Sequence, residues 1–326
     1  MSISGSEIRA SVRPARIAVG FIVGPTGAGK SALAMEVAPR ANCEIVNADS
    51  RQFYRGMDLG TAKPSADDRA RVPHHLIDVR DSDDPLDVAE FAQLARAAIQ
   101  DIAARRRNPL VVGGSGLYLR VIRGGIFRGP AASPEIRDRL AKIAAEIGVA
   151  QLHQRLREID PEAANRIGVN DLYRIVRALE VFELTGETIS AHQRLHRFSD
   201  FGYDTFTVGV DVDRKKLYEA INRRFDTMVE AGLVDEVRKL IDAGYSPGKP
   251  PLSTIGYKQI AAYLRGEMTL ADAIALGKQE SRRLAKRQMT WFRREPEIVW
   301  LDPERRVRDA AGLFENFFAT GRRESD

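Results

Sequence analysis

One octapeptide limits this chain more than any other feature. Gly24-Pro25-Thr26-Gly27-Ala28-Gly29-Lys30-Ser31 follows directly on the apolar run IAVGFIV, residues 17 to 23, and matches G-x-x-x-x-G-K-[ST]. An apolar run this short reads as a strand buried on both faces. The glycines let backbone N–H groups converge on an anion. The helix that opens near Lys30 turns its positive dipole end to the same point. Lys30 then reaches the outer phosphates, and the Ser31 hydroxyl is the candidate ligand for Mg²⁺. The bland alternative is a plain glycine turn, which the preceding strand and following helix argue against. The predicted diphosphate- or nucleotide-binding residues are therefore Gly24, Pro25, Thr26, Gly27, Ala28, Gly29, Lys30 and Ser31.

The segments that follow repeat the same grammar. A helical stretch runs from Ser31 to Pro39, and a second short strand, Cys43 to Asn47, leads into NADSRQ. Pro85 opens an amphipathic segment to about Arg107, with Val88, Phe91, Ala95, Ile99 and Ile102 on one helical face. Leu110 to Val112 is a third strand, closed by Gly113-Gly114-Ser115-Gly116. Strands alternating with helices predict a parallel sheet. Composition shifts near Gly124, and from Ser133 to about His196 only helical patterns occur. Phe206 to Val212 is strand-like again. Helical patterns at about 214 to 243, 256 to 264 and 270 to 292 precede a last strand, Ile298 to Leu301, and a helix from about 307 to 319. The expected fold class is α/β: a P-loop NTPase-like parallel sheet flanked by helices, with a small all-helical insertion domain. The domains expected are a disordered tail over 1–15, a core of 16–124 with 202–326, and an insertion over 125–201.

Composition excludes several classes. Of 326 residues, 44% are hydrophobic and 29% charged, too apolar for a disordered chain. Fifty Lys and Arg against 45 Asp and Glu leave +5, which permits a polyanionic partner without demanding one. The single cysteine, Cys43, builds neither an internal disulfide nor a cysteine zinc site, and reads as a buried residue of its strand. The run at 17–23 is too short to span a bilayer, and no cleavage pattern follows it. A cytoplasmic protein without membrane contact, working as a monomer, is expected.

The loop specifies phosphate but not reaction. Phosphoryl-transfer enzymes of this type usually carry an aspartate at the end of a buried strand. Here the third strand ends Val111-Val112-Gly113-Gly114 without a carboxylate. Asp49, just past the second strand, is the nearest candidate, in a polar neighbourhood that suits a substrate. The GGSG turn adds a hydroxyl and bare backbone. All three turns converge at the carboxyl ends of the strands, where open α/β folds bind ligands.

Seven segments then occur in one order: GPTGAGKS, NADSRQFYRGMDLGTAKP (47 to 64), PHHLID (73 to 78), PLVVGGSGLYL (109 to 119), RALEV (177 to 181), STIGYK (253 to 258) and LAKRQMTWFRR (284 to 294). Together they closely resemble the tRNA isopentenyltransferase family, over about residues 17 to 300. The resemblance implies transfer of a dimethylallyl group from dimethylallyl diphosphate to the exocyclic amine of the adenosine at tRNA position 37, releasing diphosphate. Mg²⁺, with Ser31 as its protein ligand, and Lys30 would stabilise the charge developing on that diphosphate. Asp49 would accept a proton from the adenine amine or orient it. Ser115 would help place the adenine, and Arg224 would bind diphosphate or steady the departing charge. The base must leave the anticodon-loop stack to enter such a site. The same likeness implies tRNA contacts from Asp49, Ser50, Arg51, Gln52, Ser115, Arg174, Arg177, Ile255, Gly256, Tyr257, Lys258, Arg282, Arg283, Lys286, Arg287 and Gln288. The anticodon stem-loop would lie across the cleft between the two domains. The family often has Thr in place of Ser31 and Ser115, and Ala-Ser in place of Gly27-Ala28.

The residues also have structural readings. Lys278 to Arg294 holds seven Lys or Arg against one Glu, a basic helix face that suits RNA phosphates or plain solvation. Trp291 reads as core rather than as a base-stacker. Arg174 and Arg177 sit within reach of Asp171 and Glu180. The adjacent His74 and His75 diverge on regular structure and read as structural. Phe53 and Tyr54 either line a prenyl pocket or pack. Two rivals remain for function: a P-loop small-molecule kinase or ATPase, and a non-catalytic RNA-binding switch.

Overall fold

The computed structural model describes residues 16–125, 129–196, 202–246, 252–301 and 306–323. The tail expected over 1–15 lies outside them. The chain divides into two compact units, Met1–Arg123 with Gly202–Asp326, and Gly124–Phe201.

The elements run β1 (Ile17–Val23), α1 (Lys30–Arg40), β2 (Cys43–Asn47), α2 (Ala66–Arg71), β3 (His74–His75), α3 (Val88–Ala104), β4 (Asn108–Gly113) and α4 (Gly116–Gly124). The second unit holds α5 (Pro134–Ile147), α6 (Val149–Ile159), α7 (Pro161–Arg166), α8 (Leu172–Thr185) and α9 (Ile189–His196). The first unit resumes with β5 (Tyr203–Val210), α10 (Arg214–Glu230), α11 (Leu233–Asp242), α12 (Tyr257–Leu264), α13 (Leu270–Phe292), β6 (Ile298–Leu301) and α14 (Arg306–Arg323). The described strands form one sheet in the order β3-β2-β4-β1-β5-β6, every pairing parallel. The α/β class expected from the sequence is the class observed. Its central strands are apolar because helices cover both faces: β2 and β4 are buried along their whole length.

Two local features depart from the sequence pattern. β3 is a two-residue edge strand pairing Ile45 with His74 and Val46 with His75, too short for periodicity to reveal. The helical stretch at 214 to 243 is two helices, parted where Gly232 takes φ 107°. α3 buries Phe91, Ala95, Ile99 and Ile102, the face that the spacing predicts, and the Asp87 side chain caps it by accepting from the Glu90 N–H at 2.8 Å.

Among the described residues, three apolar clusters can be followed. One lies among the sheet, α1 and α14, around Ile22, Leu33, Val37, Phe314 and Phe318. A second joins Tyr54 and Met57 to Leu233, Val237, Tyr257 and Ile260. Phe53 is fully buried and stacks with Phe91 and Tyr118, so Phe53 and Tyr54 both pack. The third, in the helical unit, gathers Leu140, Leu152, Leu156, Ile175 and Leu179. There a fully buried Glu180 accepts from the Ser133 N–H at 2.7 Å and pairs with Arg137 at 2.9 Å and Arg177 at 2.6 Å. Its charge is therefore compensated on both sides.

Candidate active site

The site is built where β1, β2 and β4 end. Gly24, Gly27 and Gly29 take φ of 151°, 79° and 86°, so the loop after β1 bends its amides inward at little steric cost. Gly24, Pro25 and Ala28 are buried behind it. The Pro25 carbonyl accepts from the Ala28 N–H at 3.3 Å and from Lys30 Nζ at 2.8 Å. Thr26, Gly27, Gly29, Lys30 and Ser31 line a cavity of about 300 Å³ with Asn47, Asp49, Gln52, His74, Gly114 and Arg224.

At the end of β2, the Ala48 N–H donates to Val112 O at 2.8 Å. Any Cβ at Gly113 would lie 2.4 Å from Ala48 O, so only glycine lets the two strand ends approach this closely. That approach sets Asp49 beside the Gly114-Ser115 turn. Asn47 Oδ1 accepts from the Asp49 N–H at 3.0 Å, and Asp49 Oδ1 accepts from the Arg51 N–H at 2.9 Å. Asp49 Oδ2 is left for a substrate. Ser115 precedes α4, and its carbonyl accepts from the Tyr118 N–H at 3.1 Å.

A second cavity, about 490 Å³, adjoins the first and shares Thr26, Asp49, Gly114, Arg224 and Gln288 with it. Its wall brings together Ser50, Arg51, Ser115, Ile255, Arg287 and Trp291. A group held by the loop after β1 and a group in this chamber would thus meet at Asp49 and Arg224. Among the described residues, Asp49 is the one carboxylate lining either cavity.

The electrostatics favour an anion. Burial lowers the Lys30 ammonium to about 8, partly opposed by Asp49 and reinforced by Arg224. Burial also pulls the Arg224 guanidinium down, again opposed by Asp49. Arg224 Nη2 reaches only the Thr61 carbonyl, at 3.4 Å. Neither makes a direct ion pair among the described residues, and a diphosphate would supply one. Any divalent cation here meets oxygen donors: the exposed Ser31 hydroxyl and Asp49. No group of three or more His, Cys, Asp or Glu gathers here or anywhere else among the described residues. That sparse, hard set suits Mg²⁺, which keeps water and substrate phosphate oxygens as most of its ligands.

Other expected contacts are already bonded within the protein. Gln52 Nε2 donates to Thr61 O at 3.1 Å and Ala62 O at 3.2 Å. Tyr257 is fully buried, and its hydroxyl donates to Glu236 at 2.5 Å. Gly256 is buried beside it. Lys258 pairs with Glu280 at 2.6 Å, and Arg282 donates to Asn222 at 2.6 Å. Arg283, Lys286 and Arg287 stand exposed on α13. In the helical unit Arg177 is tied to Glu180 and Pro130 O, while Arg174, 69% exposed, meets Asp171 at 3.3 Å. His74 Nδ1 lies 2.7 Å from Val72 O and His75 Nε2 2.7 Å from Glu44, so the pair diverges, with His74 also lining the first cavity.

Glu236 of α11 is a residue that sequence reasoning missed. Its carboxylate accepts from the N–H groups of Asp58, Leu59 and Gly60 at 3.2, 2.8 and 3.3 Å, besides the Tyr257 hydroxyl. It thereby holds the loop whose Thr61 carbonyl meets Arg224. No local signal marks it, because the three N–H groups lie 176 to 178 residues away and the Tyr257 hydroxyl 21.

A parallel sheet with a phosphate loop at its carboxyl edge, opening into a second chamber across one carboxylate, defines a group-transfer enzyme of the P-loop class. The chain belongs to the IPP transferase family, whose model matches residues 52–295. It is 49% identical over 282 residues to the tRNA dimethylallyltransferase of Geobacter metallireducens, covering 86% of this chain and 91% of the relative. Against that of Symbiobacterium thermophilum it is 47% identical over 291 residues, covering 88% and 91%. Its fold is similar to the crystal structure of the full-length tRNA isopentenylpyrophosphate transferase from Bacillus halodurans, with TM-score 0.69 and 38% identity, over 94% of this chain and 98% of the other. A eukaryotic dimethylallyltransferase captured acting on tRNA gives TM-score 0.78 at 25% identity, over 93% and 80%.

Proposed function

We propose that this chain transfers the dimethylallyl group of dimethylallyl diphosphate to the exocyclic amine of the adenosine at tRNA position 37, releasing diphosphate. The observation that carries this reading is that the two cavities share Asp49 and Arg224, with Lys30 and Ser31 of the phosphate loop lining the first. The loop amides, Lys30 and Arg224 bind the diphosphate and stabilise the charge it gains as the allylic carbon–oxygen bond breaks. Asp49 accepts a proton from the amine as the carbon–nitrogen bond forms. Ser115, half-buried in the second cavity, donates to or accepts from the base. Ser31 would hold Mg²⁺, which would supply further charge neutralisation to the diphosphate.

The acceptor chamber suits an extruded base rather than a duplex. Arg283, Lys286 and Arg287 offer phosphate contacts to the anticodon stem-loop. No helix among the described residues is long and apolar enough to cross a membrane. A kinase or ATPase reading lacks the strand-end carboxylate, since β4 closes on Gly113.

The test is incubation of the purified protein with unmodified tRNA, Mg²⁺ and radiolabelled dimethylallyl diphosphate. Label on the adenosine beside the anticodon is expected. Absence of label, with folded protein and a tRNA bearing that adenosine, would sink the reading, and ATP hydrolysis would then be assayed.

A further inference from the structure

Gln288 occupies an unusual place. It projects from α13 into the seam where the two cavities join and lines both. Its Oε1 accepts from the Thr26 N–H of the phosphate loop at 2.8 Å. Its Nε2 donates to the Gly114 carbonyl of the GGSG turn at 2.9 Å. The amide has one possible orientation, because the Thr26 N–H only donates and the Gly114 carbonyl only accepts. One side chain thus ties the loop after β1 to the turn that carries Ser115, at sequence separations of 262 and 174 residues.

The next turn of α13 reinforces the grip. Trp291, three residues on, lies so close over Gly116 that a Cβ there would meet the indole at 2.2 Å. The ring is itself fixed, with the Arg120 guanidinium 5.2 Å from its centroid and Phe292 edge-on at 5.2 Å. α13 therefore holds the glycines on both sides of Ser115. The same helix presents Arg283, Lys286 and Arg287 to solvent.

We infer that Gln288 is a positioning residue that joins the donor loop to the acceptor turn, rather than a contact to the RNA. The inference rests on the prenyl-transfer reading and goes beyond it. By engaging the Thr26 N–H, Gln288 keeps the loop in its anion-binding shape before the donor arrives. By engaging Gly114, it fixes the distance from that loop to Ser115. Small displacements of this kind are amplified in rate, since the reacting atoms must already be aligned.

The experiment uses the full chain and three variants: Gln288→Leu, Gly114→Ala and the double variant. The added Cβ of Gly114→Ala would lie 2.6 Å from Gln288 Nε2, so it pushes the amide away without altering its chemistry. Thermal unfolding first selects the variants that fold. Either single variant alone suffices to test the inference. Binding of inorganic diphosphate with Mg²⁺ is then measured by calorimetry in the absence of RNA. Anticodon stem-loop affinity is measured separately, and wild-type transfer of label is run alongside.

Gln288→Leu is expected to weaken diphosphate about tenfold and lower kcat roughly ten- to hundredfold, with RNA affinity held within about threefold. Gly114→Ala should reproduce the diphosphate loss, and the double variant should be no worse than Gln288→Leu, because both break one interaction. Unchanged or tighter diphosphate binding overturns the inference, as do additive losses in the double variant. So does an RNA affinity that drops while diphosphate affinity does not. Failure of the wild type to transfer label would instead overturn the prenyl-transfer reading itself.

Discussion

Lys63 and Lys30 are both ammonium groups drawn out of bulk water, and the company they keep differs. The Lys63 side chain is 2% exposed and meets Asp58 at 2.5 Å, Asp78 at 2.6 Å and the Tyr54 carbonyl at 2.8 Å. Lys30 has the Pro25 carbonyl, and among the described residues it forms no ion pair. Arg177 and Arg224 repeat the contrast. The first is bound to a buried Glu180, and the second has only a long contact to Thr61 O. Buried charge without a countercharge is unfavourable and persists where a ligand supplies the partner. The paired cations close loops and helices. The unpaired ones wait for an anion.

That contrast can be broken most strongly at the one carboxylate between the two unpaired cations. Asp49→Ala should cut turnover on the order of a hundredfold or more. Donor affinity should hold or rise, because a negative charge near Lys30 and Arg224 is removed, and RNA affinity should stay close to wild type. Single-turnover kinetics with direct binding measurements check this; an unchanged rate would remove Asp49 from the mechanism.

Exchanging the two lysines for methionine sharpens the comparison next. Lys63→Met should destabilise by ~1–2 kcal/mol, since the Lys63 pairs and its bond to the Tyr54 carbonyl are lost while Asp78 keeps Arg69 and Asp58 stays largely in water. Lys30→Met should lose donor binding and yet raise the melting temperature, since a buried unpaired charge is gone. Chemical denaturation of both variants reads the signs, and equal destabilisation of the two would erase the distinction.

The pH dependence has a definite sign. Lys30 loses its proton near pH 8 in the folded chain and near 10.5 when unfolded. Between those values the unfolded state binds more protons, so this residue's contribution to stability rises with pH, and below about 8 its full penalty is present. Donor binding needs the charged form. Affinity should therefore be flat below pH 8 and fall by up to about tenfold per unit above it. A titration of Kd from pH 7 to 9.5 shows whether that break exists.

The smallest effect is expected on α13. Lys286→Ala should weaken RNA binding only a few-fold and reduce the slope of log K against log salt by about one. Unaltered binding would return that exposed face to plain solvation.

The parts of this site that were readable from sequence are those built from neighbours along the chain. The octapeptide at 24–31, the Asp49 turn and the GGSG turn each assemble within a few residues, and five of the six described strands are visible as apolar runs. β3 escaped because two residues carry no period. Gly232 carried the break between α10 and α11, but a single glycine within a helical pattern does not announce one. Glu236 and Gln288 act on backbone groups brought close only by the fold, so nothing near them in sequence betrays the role. Tyr257 stands in a motif that implies RNA contact, and it spends its hydroxyl on Glu236 instead.

The central claim, that Lys30 and Arg224 form a cradle lacking its anion, is tested most directly by counting protons. Dimethylallyl diphosphate with Mg²⁺ is titrated into the protein at pH 8.5 in two buffers of different ionisation enthalpy. The account predicts net proton uptake, because the incoming charge restores the proton that Lys30 has partly lost. Identical heats in the two buffers would mean that Lys30 was already paired and charged, and would contradict it.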